Sequence, residues 1–200
     1  MAKINYIGLD IETSGIDLDS SLLSIGVVDC DDLYDIEKML YYEVLHKKLV
    51  CTPESFRVHK LDLKQMDTES PFRLELHDID NLIFRHFCNY YGFNCRIAPA
   101  GFNVGTFDMA FVKKYLPTTA KMIGYRSCDL NSVLFTRIET DNKFSKKKKA
   151  FKKEATEIFT EKVLPTLQLK YHDVDMSAHN ALFDAWVAAF IKNKLNSYDL

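Results

Sequence analysis

The chain has 200 residues, of which 47% are hydrophobic and 27% are charged, and its formal net charge at pH 7 is −2. This length and composition are typical of one globular domain with a core of its own, and leave too little chain for two comfortable domains. The small negative charge excludes attraction of a polyanion by the overall field, so an anionic partner would need a local patch or a bound metal.

The N-terminus and the cysteines predict an intracellular, cytoplasmic protein that does not contact a membrane. Residues 1–5 read MAKIN and are followed by no long uninterrupted apolar run, unlike a signal peptide or a membrane span. The cysteines form an odd set without a C-x-x-C pair, which argues against a disulfide framework and a zinc site. They are Cys30, Cys51, Cys88, Cys95 and Cys128.

The first 45 residues predict three strands joined by short turns. Apolar runs cover residues 4–15 (INYIGLDIETSG), 22–29 (LLSIGVVD) and 37–45 (EKMLYYEVL). Three consecutive strands with short connections form an antiparallel meander.

The first strand ends in two carboxylates. Side chains alternate along a strand, so Gly8, Asp10 and Glu12 project to one face. Two acids on one face can share a cation, and Gly8 leaves space beside them. The alternative is a strand that runs into an acidic turn at the solvated surface, which is common for a D-x-E pair taken alone.

Downstream of the meander, helical spacing alternates with short apolar runs. Helices are predicted near 53–58, 74–91, 105–115 and 177–195, with Gly92 closing the second. Short strands are predicted at 97–100 and within 127–134. A meander followed by alternating helices and strands is typical of an α/β fold with a mixed sheet.

The strongest charge block of the chain lies in a predicted helix or loop that extends to Val163. It consists of Lys146, Lys147, Lys148, Lys149, Lys152 and Lys153. Such a block forms either a solvated insertion or a patch that contacts phosphates. We predict one domain spanning residues 1–200, with a lysine-rich insertion around 143–155.

Two further acids stand alone in apolar surroundings. Asp108 is the only charged residue between Arg96 and Lys113, and Asp184 lies in the apolar helix HNALFDAWVAAFI. An ionised carboxylate is costly to bury, so each acid requires a cation, a proton or a metal. A tertiary salt bridge to an arginine is the alternative, and Arg57, Arg96 and Arg126 are available.

His179 stands five residues before Asp184, where the last helix is expected to begin, with Ser177 as its candidate cap. A lone histidine is more often a packed or surface residue than a catalyst. This one has a near-neutral titration suited to accepting a proton from water, and the next helical turn carries an acid.

Three segments, taken together, resemble the three motifs of the DEDDh 3′–5′ exonucleases. They are Asp10-Ile11-Glu12-Thr13, GFNVGTFD with Asn103 and Asp108, and HNALFD with His179 and Asp184. This superfamily includes the proofreading subunit of bacterial replicative polymerases, ribonuclease T and oligoribonuclease. The resemblance extends from Tyr6 to about Phe190, and the motif order and spacing agree.

The resemblance implies a metal-dependent site. Two divalent ions, Mg²⁺ or Mn²⁺, would be held by Asp10, Glu12, Asp108 and Asp184, and His179 would be the general base. Thr13, Asn103 and Phe107 would contact the terminal nucleotide.

The family fold is a ribonuclease H-like five-stranded mixed sheet, with the first three strands antiparallel and helices on both faces. The implied activity is 3′–5′ hydrolysis of single-stranded DNA or RNA, releasing nucleoside 5′-monophosphates. A homodimer and a polymerase or other nucleic-acid-processing partner also occur among such enzymes.

Two alternatives remain open on the sequence. One is a catalytically idle member of this fold that binds nucleic acid or protein, although an idle domain has no physical need for four mutually repelling acids. The other is an α/β domain whose acids are paired with arginines.

Overall fold

The computed structural model describes residues 4–49, 51–59, 61, 63–137, 141–172, 174–176 and 179–197. Its strands are β1 (Ile4–Thr13), β2 (Leu22–Asp29), β3 (Met39–Val44), β4 (Arg73–Leu74), β5 (Arg96–Gly101) and β6 (Cys128–Asp129). Its helices are α1 (Pro53–His59), α2 (Leu76–Tyr91), α3 (Asp108–Tyr115), α4 (Pro117–Met122), α5 (Leu130–Arg137), α6 (Asp141–Ile158), α7 (Leu164–Lys170) and α8 (Ala181–Ser197). The expected α/β class is confirmed.

The six strands form one mixed sheet in the order β4-β3-β2-β1-β5-β6. β1, β2 and β3 are antiparallel neighbours, as the meander predicts, and β5 and β6 extend the sheet in parallel beside β1. The sheet has one strand more than the five expected, because β4 pairs in parallel with β3. Arg73 of β4 lies opposite Glu43 and donates to its carboxylate from Nε at 2.9 Å, which fixes this two-residue strand.

Helices cover both faces of the sheet, as expected. On one face, Ile7, Leu9 and Ile11 of β1 are buried in a cluster with apolar side chains of α2 and α3. The opposite face packs against α8, whose Trp186 is completely buried in the second cluster. The alternation predicted for β1 is therefore confirmed, and its Gly8, Asp10 and Glu12 lie on the α8 side.

α8 lies unusually close to the sheet at two glycines. A Cβ on Gly8 would stand 2.1 Å from the Ala185 carbonyl oxygen, and one on Gly26 would stand 2.2 Å from that of Ala181. No side chain fits at either position, so the helix backbone rests almost directly on β1 and β2. This contact sets the distance between the acids of β1 and those of α8.

The lysine block lies in a long helical segment. α6 contains all six lysines and continues through one π-helical turn at Phe159–Val163 into α7. Phe151, Ala155 and Phe159 are buried in the cluster around α8 and anchor this segment to the sheet. Of the helix or loop expected from the sequence, the structure shows the helix.

None of the five cysteines, all of which lie among the described residues, forms a disulfide, and four of them are half-buried while Cys30 is buried. Among the described residues, no helix combines the length and the apolar character needed to cross a membrane.

Candidate active site

Three carboxylates meet where the end of β1 faces the start of α8. Asp10, Glu12 and Asp184 each offer an oxygen, and the three oxygens lie within 4.8 Å of one another. Asp10 and Glu12 are two residues apart on one face of β1, and Asp184 is in the first turn of α8. The helix can bring Asp184 this close because Gly8 and Gly26 leave no side chain between α8 and the sheet.

The start of α8 is organised by Asn180. Its side-chain Oδ1 accepts hydrogen bonds from the N–H groups of Leu182 and Phe183 at 2.9 and 3.3 Å, as an N-cap residue does. The helix therefore begins at Ala181 and not at residue 177, and Ser177, the expected cap, lies outside the described residues.

His179 is tied to the acid cluster through its backbone. Its φ is 67°, an uncommon left-handed conformation for a non-glycine residue, and its N–H donates to Oδ2 of Asp184 at 2.9 Å. The residue is exposed to solvent. Its backbone is thus a neighbour of Asp184, and among the described residues the close group of ligand atoms does not include its imidazole.

Asp108 is the first residue of α3 and is only 3% exposed. Its Oδ1 accepts a hydrogen bond from the Ile11 N–H at 3.1 Å, so the carboxylate is bound to the strand segment between Asp10 and Glu12. It does not belong to the group of oxygens within 4.8 Å, but its charge acts on both of those acids.

The acids raise one another's affinity for protons. Burial, followed by the charges of Asp108, Asp184 and Glu12, raises the pKa of Asp10 well above its usual value. Burial and the charges of Asp184 and Asp108 raise the pKa of Glu12 to about 8. Burial raises the pKa of Asp108 to about 7, against the opposing effect of its backbone hydrogen bonds.

The alternative of arginine-paired acids is not supported for β1. Within the described part of the chain, neither Asp10 nor Glu12 forms an ion pair with a lysine or an arginine. The carboxylate oxygens are close together, buried and mutually repelling. A divalent cation is the partner that would best reduce this repulsion. Carboxylate oxygens are hard ligands of the kind that Mg²⁺ and Mn²⁺ prefer, so the donor set fits such an ion.

Two of the three residues expected at the nucleotide are chain neighbours of the acids, Thr13 of Glu12 and Phe107 of Asp108. The Thr13 hydroxyl donates to the Gly15 carbonyl at 2.7 Å, and the Thr13 carbonyl accepts from the Ser55 hydroxyl. Asn103 has a φ of 63° and starts the turn that leads into α3, where its carbonyl accepts from the Phe107 N–H at 2.9 Å. The Phe107 ring packs against the ring of Phe111, with centroids 5.1 Å apart.

Sequence reasoning named Lys148 and Asn103 but did not predict that Asn131 connects them. Lys148 Nζ donates to Asn131 Oδ1 at 2.7 Å, and Asn131 Nδ2 donates to Asn103 Oδ1 at 2.8 Å. The charge of Lys152 lowers the Asp10 pKa, against the larger effects that raise it. The lysine block was the available signal, but the run of lysines does not reveal which of them face the acids.

The fold is similar to that of E. coli exonuclease I. A crystal structure of that enzyme with a dT13 oligonucleotide aligns at a TM-score of 0.62 and 12% identity, over 98% of this chain and 41% of that one. The metal-free form of its single-stranded DNA complex aligns at 0.50 and 10% identity, over 66% and 29% of the two chains. A complex with a 5cy-dT13 oligonucleotide aligns at 0.50 and 11% identity, over the same shares.

These identities establish a shared fold, and the chain spans less than half the length of exonuclease I. The sequence matches no protein-family model, and no curated protein is similar to it in sequence. The class that fold and site define together is therefore an α/β domain with the exonuclease I fold and a carboxylate cluster suited to a divalent cation.

Proposed function

We propose that this chain is a metal-dependent 3′–5′ exonuclease of the DEDDh type that acts on single-stranded DNA or RNA. The observation that carries the proposal is the convergence of Asp10, Glu12 and Asp184 within 4.8 Å on a fold shared with exonuclease I. The products would be nucleoside 5′-monophosphates released from the 3′ end. The exonuclease domain would span residues 1–200, with the segment around 143–155 as a lysine-rich insertion.

The acids would act as ligands. Asp10, Glu12 and Asp184 would hold the cations, and Asp108, fixed by the Ile11 N–H, would complete the set. Two divalent ions bound here would supply water activation and charge stabilisation for displacement at phosphorus. Neutral protonated acids bind cations poorly, so loading of the site releases the protons that the raised pKa values retain.

His179 would act as the general base. Its side chain is exposed, and its backbone N–H bond to Asp184 connects the residue to the acid cluster. The imidazole would accept the proton of the attacking water. Thr13, Asn103 and Phe107 would position the terminal nucleotide.

A time course on matched 5′-labelled single-stranded DNA and RNA tests the proposal. We expect a ladder that shortens from the 3′ end with Mn²⁺ or Mg²⁺ and disappears with chelator or in Asp184→Ala. The ratio of the DNA rate to the RNA rate identifies the substrate. Stoichiometric binding without shortening would replace the proposal with an idle nucleic-acid-binding module.

A further inference from the structure

Two lysines of α6 converge on one aromatic ring beside the acid cluster. The Nζ atoms of Lys148 and Lys152 each lie 4.6 Å from the ring centroid of Phe102, the residue that follows β5. The lysines are four residues apart and so occupy one face of the helix. Both side chains are half-buried, unlike the exposed Lys146, Lys149 and Lys153.

Several contacts hold this pair in place. Lys148 donates to Asn131, and Asn131 donates to Asn103, which connects the ammonium group to the turn before Asp108. The helix itself is anchored by the buried side chains of Phe151 and Ala155. A lysine fixed by packing and hydrogen bonding loses less conformational entropy when it binds an anion than a free surface lysine does.

The positive charges of Lys148 and Lys152 are only partly balanced by a nearby acid. Burial and the charge of Lys152 lower the pKa of Lys148, and the nearby Asp129 opposes this only in part. The charge of Lys152 reaches Asp10, and that of Asp129 reaches Asp108. The two ammonium groups over one ring therefore form a site suited to an anion. Because the acids that would bind cations are close by, one ligand could contact both the lysine pair and the cations.

We propose that Lys148 and Lys152 are positioning residues that bind a backbone phosphate of a single-stranded nucleic acid whose 3′ end enters the acid cluster. The inference rests on the proposed function, since it concerns the same substrate. It divides the lysine block into two parts, a fixed pair that contacts the phosphate and four other lysines that do not.

The test compares two double variants with the same loss of charge and the same spacing on α6. Lys148→Gln/Lys152→Gln removes the pair, and Lys149→Gln/Lys153→Gln is the matched control. Binding of a fluorescent thirteen-nucleotide oligothymidylate is measured by anisotropy in Ca²⁺ at several salt concentrations. Hydrolysis is measured separately in Mn²⁺, with kcat and KM determined for each variant.

Each phosphate contact to a single strand contributes about 0.7 to the slope of log affinity against log salt. We expect the pair variant, which loses one phosphate contact, to reduce the slope by about 0.7 and to weaken binding about fivefold near 0.1 M salt, while the control changes neither. In hydrolysis the pair variant should raise KM more than it lowers kcat. Lys148→Arg/Lys152→Arg, which keeps both charges, should retain most of the slope.

The outcomes separate this inference from the proposed function. Equal changes in both double variants, or no change in either, would overturn the special role of the pair even if the wild type degrades the strand. A slope lost only in the pair variant would support the pair even if no hydrolysis occurs, in which case the exonuclease proposal alone fails. A wild type that neither binds nor hydrolyses overturns both.

Discussion

The N–H of His179 donates to Oδ2 of Asp184 at 2.9 Å, although the two residues lie on opposite sides of the start of α8. The proposed base and a proposed metal ligand are thus joined through the backbone, and not through the imidazole. Replacement of the histidine side chain leaves that hydrogen bond possible. The catalytic contribution of the imidazole can therefore be measured apart from the geometry of the acids.

We expect His179→Asn to lower kcat by about 100-fold or more, the usual contribution of a general base, with KM close to the wild-type value. Asparagine tolerates the left-handed backbone at this position better than alanine does. His172→Asn, at another exposed histidine, is the control, and an unchanged rate in His179→Asn would remove the assignment.

Divalent ions should stabilise the folded protein. An ion at 100 times its dissociation constant adds about 2.7 kcal/mol, which corresponds to a rise in Tm of about 5–10 °C for a chain of this size. Asp184→Asn should abolish most of this rise in thermal unfolding with Mn²⁺ against chelator, whereas Glu157→Gln, on the exposed surface of α6, should retain it. A rise of the same size in both variants would show that the ion binds elsewhere.

The stability of the metal-free protein should fall as pH increases from about 6.5 to 8.5. Glu12 keeps its proton up to a pKa of about 8 in the folded protein, whereas the unfolded chain releases it near 4.5. The folded state therefore binds more protons in this window, and each such group lowers the free energy of unfolding by at most about 1.4 kcal/mol per pH unit.

Glu12→Gln should flatten that pH dependence and make the chelated protein more stable at the upper end of the window. The lower limit matters because His86, whose pKa burial lowers to about 4, would add an opposite trend below pH 6.5. Denaturant unfolding in chelator at several pH values provides the comparison. Parallel curves for Glu12→Gln and the wild type would contradict the assignment of a retained proton to Glu12.

Gly8→Ala should destabilise the fold and loosen the site together. The added Cβ would stand 2.1 Å from a backbone oxygen of α8, so the helix must shift, at a cost of about 2 kcal/mol or more. The Mn²⁺-induced rise in Tm should shrink as Asp184 moves away. Gly124→Ala is the control, since its Cβ would meet no atom closer than 3.5 Å, and equal stability of the two variants would contradict close packing at Gly8.

The acids could be found in the sequence because each violates a local rule. Asp10 and Glu12 share one face of an otherwise apolar strand, and Asp108 and Asp184 are lone charges in apolar runs. The convergence of these acids could not be predicted from local patterns, because it depends on how closely α8 crosses β1 and β2. Gly8 indicated room on that face, whereas the role of Gly26 becomes visible only once the two elements are packed.

Other features depend on contacts that a local pattern does not contain. β4 has two residues, too few for an alternation, and it is fixed by the bond between Arg73 and Glu43. The lysines of α6 look equivalent in sequence, yet only the rotation of the helix about its buried side chains turns Lys148 and Lys152 toward Phe102. Phe151 and Ala155 are the buried residues that set this rotation. Their positions in the sequence could have indicated which lysines face Phe102.

The close packing of α8 on Gly8 and Gly26 has a consequence during synthesis of the chain. β1 carries two of the three clustered acids and is translated before β2, whereas Asp184 is translated more than 150 residues after β2 ends at Asp29. A nascent chain that ends before α8 therefore lacks the third ligand as well as the helix that covers this face of the sheet. All three clustered acids would then be available to a metal ion only after α8 has been made.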